Sequence, residues 1–204
     1  MKNKLYILLP LVFLGSCTIG TSELKVTYPD NQQFFAQNSQ SSERITEIDK
    51  DVNISVKWIG NGYPVATAKG VTGLKSRYVI PYTRLTSLVD LKIVNKSDKN
   101  IDLQTQNFTL TFNDNKTKPL NIDFFKSRWP VFSVKSQEML IDRSIAMGDV
   151  IRTISRDEKI MPKSTYQGYL PFMKVPDNAK EVKISAEFKI DNEIKNIDFR
   201  FIRK

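Results

Sequence analysis

The chain has 204 residues and a mass of 23.5 kDa; 40% of its residues are apolar, 26% are charged, and its formal net charge is +9. That is enough chain for one folded domain plus a processed leader, and too polar for a protein of many membrane spans. With no histidine and a single cysteine, the chain excludes Ser-His-Asp and Cys-His catalysis, His-ligated metals, internal disulfides and cysteine-clustered metal sites.

The first residues run from positive charge to apolar to small. Lys2 and Lys4 precede an apolar stretch from Leu5 to Leu14, broken only by Tyr6 and Pro10. This stretch is too short to span a bilayer permanently and right for the apolar part of a secretory leader. It ends in Leu14-Gly15-Ser16-Cys17, which resembles the bacterial lipobox. The resemblance implies cleavage before Cys17, with residues 1–16 as signal peptide and Cys17 as the lipidated residue. The only thiol of the chain would then be consumed as a thioether. Thr18 follows where some enteric bacteria use aspartate to retain lipoproteins at the inner membrane, so the expected location is the bacterial cell envelope, lipid-anchored, at the outer membrane.

Cleavage would remove Lys2 and Lys4 and no acid, leaving a formal charge of +7. A basic body held at a membrane is drawn to anionic headgroups and acidic glycans. Nucleic acid is not an expected partner, because an exported chain does not meet it. Residues 17–47 read as the lipidated cysteine and a flexible tether, since Gly20, Pro29, Asp30, Asn31 and the Gln/Asn/Ser run from Gln37 to Ser42 carry little periodicity. Leu24 to Tyr28 has the pattern to pair onto an edge of the body.

From residue 48 to 204 the pattern is mainly β. Val52, Ile54, Val56 and Trp58 alternate with polar residues until Gly60-Asn61-Gly62, read as a turn. Tyr78 to Tyr82 and Leu85 to Val94 are extended, and Asn95 to Asn100 is a polar loop. Short strands follow at Ile101 to Leu103, Phe108 to Phe112 and Leu120 to Phe124, with Asn113-Asp114-Asn115 between the last two as residues that tolerate positive φ. One helical segment interrupts this rhythm between Ser136 and Ile154, where Leu140, Met147, Ile151 and Ile154 keep helical spacing around a weak point at Gly148. Strands resume at Lys159 to Met161, Gly168 to Val175, Glu181 to Ile190 and Glu193 to Ile202, with Asp191-Asn192 as a hairpin turn. Pro162 and Pro171 suit edge positions, and Gly168 suits a bulge or a close backbone approach. The predicted core comprises Val52, Ile54, Val56, Leu91, Ile93, Phe108, Leu110, Phe172, Val182, Ile184, Phe188, Phe199 and Phe201.

Two blocks carry a family resemblance. Leu91-Lys92-Ile93-Val94-Asn95-Lys96-Ser97, and Met161-Pro162-Lys163-Ser164-Thr165-Tyr166-Gln167-Gly168-Tyr169-Leu170-Pro171-Phe172 followed by Val175-Pro176, are similar to strands of the immunoglobulin-like domains of uncharacterised bacterial secreted lipoproteins. The resemblance implies an antiparallel β-sandwich of immunoglobulin-like type with one inserted helical segment. It implies no catalytic motif and no cofactor.

Three candidate sites stand out. Phe125, Lys126, Arg128 and Trp129 lie in an aromatic and basic stretch from Asp123 to Phe132, the usual material of an interaction hot spot. The plainer reading is a strand end feeding Phe and Trp into the core beneath the helix. Asp142 and Asp149 share a helix face, with Asp157 and Glu158 beyond, the residue types of a carboxylate hydrolase; solvated helix-face acids are the plainer reading. Gly70-Val71-Thr72-Gly73-Leu74-Lys75 has the wrong spacing for a phosphate loop. No metal site is expected. The resulting expectation is a lipid-anchored, non-enzymatic envelope protein whose body contacts another envelope protein or an acidic glycan. The alternatives are a surface adhesin for host matrix or acidic glycans, and a carboxylate-based hydrolase.

Overall fold

A computed structural model describes residues 34–48, 51–61, 65–66, 78–79, 82, 85–128 and 137–203. The chain is mainly β, as expected, and its strands form two principal antiparallel sheets and a small ribbon. The larger sheet contains β1 (Phe34–Ala36), β7 (Ile101–Leu103), β8 (Phe108–Phe112), β9 (Asn115–Thr117), β10 (Glu158–Ile160), β12 (Glu181–Ile190) and β13 (Glu193–Arg203). The smaller sheet runs in the order β11 (Ser164–Met173), β6 (Thr86–Asn95), β3 (Val52–Asn61), β2 (Glu43–Ile48). The ribbon pairs β4 (Val65–Ala66) with β5 (Tyr78–Val79). Among the described residues two α-helices complete the fold, α1 (Ile122–Arg128) and α2 (Gln137–Thr153).

Period-two alternation does what it should. All 13 predicted core residues are fully buried and belong to one cluster shared by the two sheets. On β3 the inward side chains are Val52, Ile54, Val56 and Trp58; on β6, Val89, Leu91 and Ile93; on β12, Val182, Ile184, Ala186, Phe188 and Ile190. Each fully buried Val, Leu, Ile or Phe contributes roughly 1.5–3 kcal/mol, so this cluster dominates the stability of the body. Asn113 and Asp114 take φ of 44° and 63° in the turn between β8 and β9, and Asp191 takes 49° in the β12–β13 hairpin, as the turn residues anticipated.

Buried Asn95 organises the polar loop at one end of the body. Its Nδ2 donates to the carbonyls of Lys99 at 2.8 Å and Met161 at 3.0 Å, while its Oδ1 accepts from Ser97 N and Oγ. The same end carries the Asp191 turn, whose N–H donates to Asn100 O. At the opposite end Phe34 pairs with Arg203, Thr86 pairs with Met173, and the Arg203 N–H donates to Lys180 O.

Three expectations are corrected. The body begins before residue 48: β1 and β2 fall within the segment assigned to the tether, because Phe34 and Ala36 are buried on either side of half-buried Phe35. Phe34 is held edge-on against Trp58, 5.0 Å between centroids. Gly60-Asn61 does not end β3; the strand passes through them with a bulge between Trp58 and Gly60, and Gly60 supplies a φ of 121° that only glycine takes readily. Leu120 to Phe124 is not a strand, since α1 occupies Ile122–Arg128. The Asn121 Oδ1 accepts from the backbone N–H groups of Asp123 and Phe124 at 3.1 and 3.2 Å, Asp123 stands in the first turn, and Lys126 and Arg128 stand in the last. Cap and charges together favour a helix over an extended strand end.

The helices cover part of the outer face of the smaller sheet. Leu88 on β6, Ile59 on β3 and Tyr169 on β11 have the opposite parity to the shared core and meet Tyr82, Phe125, Met147, Val150 and Ile154 in a second cluster. The first half of β6 is therefore buried on both faces. β11, the edge strand beside it, is closed at two points: Ser155 N donates to Tyr169 O and Leu120 N to Pro171 O, both at 2.7 Å. Pro171 sits on this edge strand, as expected.

Candidate functional site

The helical layer contains the segment that the sequence marks for contact, and α1 divides it. Phe125 is buried in the second cluster, its ring 5.5 Å from that of Tyr82 in an edge-on arrangement. Lys126 and Arg128, on the same short helix, are exposed. The Arg128 guanidinium lies over the Phe124 ring, 5.2 Å from its centroid, an attraction of about 0.5–1 kcal/mol at an exposed site. Lys126 pairs with Asp123 at 3.3 Å across one turn. The layer thus presents two cations from a helix whose aromatic side is anchored. Trp129, Cys17 and the segment from Gly70 to Lys75 lie outside the described residues.

Beneath α1 and α2, Tyr82 is fixed by a relay of hydroxyls. Its OH lies 2.6 Å from Thr153 Oγ1, which donates to Asp149 O at 2.6 Å, so the Tyr82 phenol is the donor to Thr153. Burial pushes the Tyr82 phenol well above the usual tyrosine range. Nothing local in the sequence marks Tyr82 for this buried role, since its partners Phe125 and Thr153 lie far along the chain.

The acids take separate structural parts. Asp149 is buried and ion-paired with Arg152 one turn along α2, so the solvated helix face expected for it is corrected: its position toward the sheet, not its spacing, decides its surroundings. Asp157 Oδ1 accepts from Thr105 N and Oγ1, both at 2.7 Å, fastening the loop after α2 to the one-turn helix at Thr105–Asn107. Glu158 is exposed at the start of β10, and the Asp142 side chain lies outside the described residues. Among the described residues no group of three or more acidic side chains converges on one point.

A further polar cluster, unmarked in the sequence, crosses the outer face of the smaller sheet. Glu43, Lys57, Asp90 and Tyr169 stand opposite one another on four adjacent strands. Gln167 Nε2 donates to both Asp90 oxygens at 3.1 and 3.2 Å, and Ser55 Oγ donates to Glu43. Burial raises the Asp90 pKa, and the Gln167 bond and Lys57 only partly offset it.

Two grooves flank these features. One of about 330 Å³ lies beside the helical layer, between Leu120, Ile154, Arg156, Asp157 and Pro171. The other, about 360 Å³, lies at the β1–β2 corner between Phe34, Phe35, Ser41 and Trp58. The Trp58 indole N–H beside it is buried with no acceptor among the described residues.

No family model and no curated protein matches the chain. Among solved structures it is similar to a functionally unknown protein of Listeria monocytogenes, at 15% identity over 85% of this chain and 89% of that one, with a TM-score of 0.40. It is also similar to the Bacillus subtilis protein ycdA, a candidate lipoprotein, at 12% identity and a TM-score of 0.40; the match covers 81% of this chain and 39% of that one. A FixG-related protein of Vibrio parahaemolyticus gives 14% identity over 76% of this chain and 97% of that one, with a TM-score of 0.30. Scores at this level assign the chain to no family. Among the described residues no helix is long and apolar enough to cross a membrane.

Proposed function

We propose that this chain is a lipid-anchored, non-enzymatic protein of the bacterial outer membrane, whose immunoglobulin-like β-sandwich body makes contact with another envelope protein or an acidic glycan. Two antiparallel sheets enclosing one core support the immunoglobulin-like reading, and Leu14-Gly15-Ser16-Cys17 supports the anchor. The observation that carries the contact reading is the division of α1: Phe125 is locked into the second core while Lys126 and Arg128 stand exposed, Arg128 stacked on Phe124. A cation held in place before its partner arrives loses little side-chain entropy on binding, and carboxylates or sulfated sugars are its natural complement.

The test is capture in intact cells. Full-length protein is crosslinked in its host, and its partners are compared with those of Lys126→Ala/Arg128→Ala, while Cys17 is assayed by mass spectrometry for acyl chains. Acylated Cys17 with partners lost in the double variant is the expected result. An unacylated Cys17 removes the anchor, and an unchanged partner set removes the contact patch.

A further inference from the structure

We propose that the end of the body joined by the N-terminal segment docks on an anionic lipid surface, with Leu85 and Met173 against the headgroup boundary and Lys174, Lys180 and Arg203 around them. This inference rests on the lipid anchor proposed above.

Backbone pairing places these residues together. Phe34, the first described residue, pairs with Arg203 and carries the Arg203 guanidinium over its ring at 4.6 Å. Arg203 donates through its N–H to Lys180 O and through its guanidinium to Asp177 O. The loop containing these carbonyls begins at Lys174, whose N–H donates to Leu85 O at 3.0 Å, and Met173 pairs with Thr86 beside it. The segment leading back to Cys17 therefore meets the body at the end that exposes Leu85 by 50% and Met173 by 40%. The Asp191–Asn192 hairpin and the Asn95 loop occupy the other end.

Charge favours an anionic lipid occupant. Lys174, Lys180 and Arg203 are set against two acids, Asp177 and Glu181, and Lys174 lies 3.9 Å from Asp177. The surface attraction is accordingly modest, and the tether compensates. Sixteen residues separate Cys17 from Phe34, a span of at most about 60 Å when fully extended. A site held that close to its target has an effective concentration on the order of millimolar, so weak docking is populated. A lipid chain combined with a basic patch is also the usual two-signal mode of stable membrane attachment.

The experiment uses the full chain with its acyl chains, reconstituted into vesicles of phosphatidylethanolamine and phosphatidylglycerol. A fluorophore is placed at Leu85→Cys, Met173→Cys or, at the far end, Asn192→Cys, and challenged with a nitroxide carried on lipid. Quenching with a blue shift at positions 85 and 173, and neither at 192, is the expected outcome. Lys174→Glu/Lys180→Glu, or vesicles of phosphatidylcholine alone, should abolish that quenching while the protein stays on the vesicle through its acyl chains. Acylated, vesicle-bound protein showing equal quenching at all three positions overturns the docking proposal alone. A Cys17 without acyl chains overturns the anchor and the docking together.

Discussion

A Cβ on Gly168 would lie 2.7 Å from the Ser155 hydroxyl oxygen and 3.1 Å from Ser155 Cα, so the chain after α2 crosses β11 where only glycine leaves room. The crossing is also where Ser155 N donates to Tyr169 O. Gly168→Ala should push this contact apart and cost about 1–3 kcal/mol, read as a lower midpoint in urea. Ser155 Oγ is buried without a hydrogen-bond partner among the described residues, so Ser155→Ala should be neutral or stabilising by up to about 1 kcal/mol. Combined with Gly168→Ala it should recover part of the loss, because the backbone clash at Cα remains.

Phe125→Ala should act on the helical layer before the rest of the body. Phe125 belongs to the second core and not to the cluster between the sheets, so removing its ring, worth about 3–5 kcal/mol in a packed site, should loosen α1 and α2 selectively. Hydrogen exchange should accelerate in 122–128 and 137–153 while β6, β12 and β13 stay protected. Uniform acceleration would show that the two cores unfold as one.

Tyr82→Phe removes the donor to Thr153 and leaves the ring stacking in place. The expected cost is about 1–2 kcal/mol. In the wild type, burial raises the Tyr82 phenol, so absorbance titration should show one tyrosine that ionises only as the protein unfolds in alkali, and the Phe variant should lose that class.

Asp90 carries a pH signature. Its folded pKa is raised above the ordinary 3.8, so the folded state holds this proton more tightly than the unfolded one. The penalty is absent well below 3.8 and complete above the raised value. Asp90→Asn should therefore gain on the wild type as pH rises from 3 to 7. The carboxylate is only half-buried, which keeps the gain within about 1 kcal/mol. Melting temperatures of both proteins across that range check it; a gap that widens toward acid would reverse the sign.

The sequence made one face of each strand legible, because inward residues such as Val182, Ile184 and Phe188 alternate cleanly. It hid what lies on the other face. Leu88 is buried and Tyr169 half-buried by the helices against the parity of Leu91 and Leu170, and burial on both faces erases the alternation that identifies a strand's inside. Phe124-Phe125 looked like strand material, while the decisive signals for α1 were polar ones, the Asn121 cap and the order of Asp123 before Lys126 and Arg128. The Phe34-Phe35 pair is an apolar exception in a Gln- and Asn-rich segment, which by itself reads as tether; the burial of Phe34 depends on Trp58 and Arg203, distant in sequence. At the candidate site, residue types were informative, but which of Phe125 and Arg128 faces solvent was set by helix phase.

The pairing of β1 with β13 ties the first described strand to the last. β12, near the C-terminus, is also the splint along which β7 and β8 are aligned end to end. Without β12 and β13, β1, β7 and β8 lack the strands that join them into one sheet. Such long-range closure makes assembly slow, because each of these pairings must bring together segments far apart in the chain before any of its contacts is gained.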